Sequence, residues 1–157
     1  MNVENWKCTM GPILPPVLSD RIKMIATCDL LPSEIQAFND AFHALAIALS
    51  SDPSAPRTTS LTVIFADTDS FTLTLKDRQS WGLHFCIAFY PLHLWREQRL
   101  SYLVMLIAAL EELCHHFWSI EDEIEAKDKV TSLIQLLYPR ISRNDLYKPD
   151  WSPDDHP

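Results

Sequence analysis

The residues best placed to do chemistry lie in the segment Leu110-Glu111-Glu112-Leu113-Cys114-His115-His116-Phe117-Trp118. Positions i and i+4 share a helix face, so Glu111 and His115 can ligate one cation. Glu112, one residue on, points to the adjacent side, where a metal-bound water would sit. Upstream the same segment is apolar all round, with Leu103, Leu106, Ile107 and Leu110 on one stripe and Val104, Met105, Ala108 and Ala109 on the opposite one. Such a helix is expected to be buried. Continuing the second stripe leads to Glu111, Glu112, His115 and His116, and ionisable groups entering a buried environment must be paired, protonated or bound to metal.

A catalytic zinc site takes three protein ligands and leaves the fourth position to water. The next helical segment carries an apolar stripe of Ile120, Ile124, Val130, Ile134 and Leu137. The missing turns of that stripe fall on Glu123 and Lys127, which makes Glu123 the first choice for a third ligand and Lys127 its supporting partner. Glu121, Asp122 and Glu125 project further round toward solvent, and Asp122 can cap the helix with Ser119 in an S-x-x-D arrangement. The bland reading needs no metal: Glu111 with His115, and Glu123 with Lys127, are ordinary i,i+4 pairs, each contributing about 0.2–0.5 kcal/mol on a solvated surface. A di-iron carboxylate site would need a second Glu-x-x-His beside Glu112-x-x-His115, and the chain has none.

Glu111-Glu112-Leu113-Cys114-His115 resembles the H-E-L-x-H helix of zincin metallopeptidases, with Glu111 standing where that family has its first zinc-ligating histidine. The resemblance covers about 50 residues, from the strand expected at Trp81 to the end of the second helix. It implies a divalent metal, zinc first, held by Glu111, His115 and Glu123, with Glu112 as the general base that activates water against a peptide or protein substrate. The small zincins that cleave mobile-element repressors are similar in outline through Glu125-Ala126 and Leu136-Leu137-Tyr138-Pro139. That likeness would make Glu125 the ligand. The alternative from another class is a non-catalytic interaction or scaffold protein that kept the helix and lost the metal.

Other reactive residues carry less. His84 and His93 could approach the cluster, and Trp81, Trp95 and Trp118 are expected to pack around the long helix. Cys114 diverges from His115 by about 100° on a helix and falls on the core stripe with Leu110 and Phe117, so it reads as buried and inert.

The elements that must position these groups follow from punctuation and periodicity. Residues 1–32, with Gly11-Pro12 and Pro15-Pro16, read as an irregular arm holding a short strand or helix near Ile22–Thr27. Ser33 caps a helix from Glu34 to Leu49 whose face carries Ile35, Phe38, Phe42, Leu45 and Leu49. Leu61–Ala66 and Phe71–Leu75, separated by Asp67-Thr68-Asp69-Ser70, read as a hairpin, and Trp81–Tyr90 as a third strand. A loop from Pro91 to Arg96 leads to helices over Gln98–Trp118 and Ser119–Tyr138, and 140–157 reads as an extended tail. The expected fold is α+β, zincin-like, with helices packed on a small, mostly antiparallel three-stranded sheet formed by residues 33–139.

Composition narrows the classes. A chain of 157 residues with 47% hydrophobic content fits one domain. It has only two glycines, Gly11 and Gly82, against eleven prolines, which excludes glycine loops that cradle phosphate. A net charge of −8 with 13 scattered Lys and Arg argues against a nucleic-acid partner. The longest charge-free apolar run, Leu100–Leu110, falls short of the roughly 20 residues that cross a bilayer, so no membrane partner is expected. Cys8, Cys28, Cys86 and Cys114 form no C-x-x-C pair, and the N-terminus lacks a signal-peptide pattern; both fit a cytoplasmic setting.

Overall fold

The computed structural model describes residues 10–51, 60–70 and 86–147. Three strands, β1 (Ile22–Ala26), β2 (Leu61–Ala66) and β3 (Cys86–Pro91), form one sheet in the order β1-β2-β3. Both pairings are parallel, with Ile22 beside Leu61 and Leu61 beside Cys86. This corrects the expectation of a mostly antiparallel, zincin-like sheet. The physical reason lies in what joins and covers the strands. Parallel neighbours need a crossover of a dozen or more residues, and helix α1 (Pro32–Ser51) provides it between β1 and β2. Strands of a parallel sheet are covered on both faces and so read as near-continuous apolar runs, as LTVIFA and CIAFYP do. The expected hairpin partner Phe71–Leu75 and the start of the third strand at Trp81 lie outside the described residues.

Alternation sorts the strand side chains cleanly. Ile22, Ala26, Leu61, Val63, Phe65, Ala88 and Tyr90 face the main core, whereas Ile25, Ile64 and Ala66 form a small cluster on the other face with Ile87 and Phe89 beside it. Above the main face lie α1, α3 (Tyr102–Trp118) and α4 (Glu123–Leu137), each in contact with the other two. Phe38 of α1 is the centre of this layer: its ring sits 4.6 Å from Phe65, 4.8 Å from Tyr90 and 5.5 Å from Trp95. Trp95 thus packs against α1 and β3, where the sequence placed it around the long helix.

The stretch read as a loop after β3 is a short helix, α2 (Leu92–Glu97). It stays separate from α3 because the chain turns through Arg99 in the left-handed region, after which Ser101 caps α3 by accepting from the Val104 N–H. The arm contributes a 3-10 turn, Pro16–Leu18, and β1; beyond Pro139 a four-residue helix, α5 (Arg143–Leu146), forms. Among the described residues no single helix is long and apolar enough to cross a membrane, and α3 and α4 meet at a bend of 110°.

Candidate functional site

The bend between α3 and α4 is built without glycine. Ser119 takes the left-handed conformation, φ 52°, at the position where a helix most often ends on glycine. Ile120 then turns inward into the core, and Asp122 caps α4 by accepting from the Glu125 N–H at 2.8 Å. The cap brings the first turn of α4 against the last turn of α3.

His115 is oriented by this turn. Its Nδ1 lies 2.6 Å from the Ile120 carbonyl oxygen, which can only accept, so Nδ1 carries the proton and donates it. Nε2 faces the Glu123 carboxylate at 3.9 Å, with both side chains partly exposed. Two of the four expected site residues, from different helices, are therefore brought together.

Glu111, one turn back on α3, is half-buried, and its Oε1 accepts from the Tyr147 hydroxyl at 3.1 Å. Burial pushes its carboxyl up; the Tyr147 bond and Lys127 pull it down, while Glu123 and Glu112 push it up further. Lys127 is only 3% exposed, and its Nζ stands 5.4 Å from the centre of the Tyr147 ring. Its burial lowers the ammonium, against the attraction of Glu111 and Glu123. Glu112 is exposed, as are Glu121, Asp122 and Glu125, and the Asp122 carboxylate is committed to the cap. Among the described residues, no group of three or more His, Cys, Asp or Glu side chains converges closely enough to hold a metal ion.

Two expectations about helix faces need revision. Val104 is 43% exposed and Ala108 half-buried, whereas Met105 and Ala109 are core residues, so α3 is not buried all round and only part of its second stripe meets solvent. On α4, Ile124 is 62% exposed, and the inward stripe is Ala126, Lys127, Val130, Thr131, Leu133 and Ile134. Glu123 stands at the rim of that stripe. Cys114 is fully buried, and burial pushes its thiol up to about 12, as an inert core cysteine requires.

A second polar constellation, unseen in the sequence, lies at the carboxyl ends of the strands, where open parallel sheets place their ligands. Arg96 of α2 reaches the Glu34 carboxylate on α1, Asp67 after β2 and the Asp29 carbonyl after β1. His93, beside it on α2, pairs through Nε2 with Asp69 at 2.5 Å and so lies away from the α3–α4 cluster. These groups come from four separate segments, so only knowledge of strand direction could have gathered them. His84 and Trp81 lie outside the described residues.

No family model, no curated protein and no solved structure matches the chain.

Proposed function

We propose that the junction of α3 and α4 takes one divalent cation, with Glu111, His115 and Glu123 as its protein donors, and that the protein is a metal-dependent hydrolase with Glu112 as general base. The observation that carries the reading is the orientation of His115. A ligating imidazole ordinarily donates its second nitrogen to a carbonyl or carboxylate, which turns the lone pair of the other nitrogen toward the metal. Here Nδ1 donates to Ile120 and Nε2 faces Glu123. Two carboxylates and one imidazole suit zinc or a similar ion. When bound, such an ion supplies a water acidic enough to act as nucleophile near neutral pH.

Glu112, next to Glu111 on α3, is exposed, and its role in this reading is to take the proton of a water held at the junction. A peptide as substrate follows from the likeness of Glu111-Glu112-Leu113-Cys114-His115 to the zincin helix alone, because the parallel sheet removes the antiparallel strand from that likeness. Metal analysis of the purified protein beside His115→Ala tests the reading. About one equivalent of zinc, lost in the variant, is expected, and a metal-free wild type sinks it. If metal is bound, Glu112→Gln should abolish hydrolysis of a casein digest with occupancy intact.

The competing reading, a non-catalytic interaction protein without metal, is favoured by one observation. Glu111, Lys127 and Tyr147 already satisfy one another, and no three donors converge among the described residues. The same metal analysis decides between the two.

A further inference from the structure

We draw no further inference here: the strongest candidate, the polar cluster at the carboxyl ends of the strands, where Arg96 holds Glu34, Asp67 and the Asp29 carbonyl and His93 holds Asp69, is engaged within itself, and no second observation among the described residues points to a ligand there.

Discussion

Arg96 on α2 grips Glu34 on α1 through two parallel bonds, Nε to Oε1 at 2.8 Å and Nη2 to Oε2 at 3.0 Å. Glu34 is 1% exposed, and its Oε2 also accepts the Leu31 N–H at 2.7 Å, reaching back to the residue that precedes α1. A buried carboxylate in the first turn of a helix, bound two-pronged by a guanidinium, is a pair whose halves cannot be removed one at a time. Arg96→Ala leaves Glu34 buried without its cation and should cost about 3–5 kcal/mol in urea unfolding. The double variant with Glu34→Ala should cost clearly less than the sum of the two single changes. Additive losses would mean that the two residues act separately.

The same reasoning from burial gives the cost of emptying the aromatic centre. Phe38 is fully buried between the rings of Phe65, Tyr90 and Trp95, so truncation leaves a hole bounded by an α-helix, two strands and α2. Phe38→Ala should lower stability by about 3–5 kcal/mol, and Phe38→Leu by less, because it refills part of the volume. Thermal unfolding with an unchanged midpoint in Phe38→Ala would show that this cluster does not hold the helix layer to the sheet.

What could be read in the sequence, and what could not, divides by the range of the cause. The core face of α1 through Phe38, Phe42 and Leu45 is a local period, and all three are buried. Leu61–Ala66 is a strand between the same limits in both readings. Strand direction has no such local code: Asp67-Thr68-Asp69-Ser70 carries the composition of a hairpin turn, and only the crossover through α1 makes β1 and β2 parallel. At the site, the i,i+4 relation of Glu111 and His115 is a helix property and legible, and Glu123 is brought to His115 by the cap at Asp122. Tyr147 was not legible as a partner of Glu111, because it arrives from a stretch without periodicity. Nor was the Arg96–Glu34 pair, whose residues are 62 positions apart.

Alkaline pH should expose the two buried acids of the core. The Cys114 thiol is pushed up from 9.0 to about 12, first by burial and then, with Lys129 opposing, by Glu111. Tyr90 is likewise raised well above 10.0 by burial, with its hydroxyl donating to the Ala109 carbonyl at 3.0 Å. Both groups stay protonated in the folded chain after they have begun to ionise in the unfolded one. The sign follows: the folded state binds more protons above the unfolded pKa, so stability is full below about pH 9 and falls as the pH rises from there toward 12. Each group that ionises only on unfolding steepens the loss by about 1.4 kcal/mol per pH unit. Urea midpoints measured from pH 7 to 10.5 should therefore decline for wild type and decline less steeply for Cys114→Ala, after allowing for the lower starting stability of the variant. Tyr90→Phe should flatten the curve only at its upper end, because the unfolded phenol ionises about one unit later than the thiol. Parallel curves for wild type and Cys114→Ala would show that the thiol ionises inside the fold as readily as outside it, which a fully buried side chain between Leu110 and Phe117 does not permit.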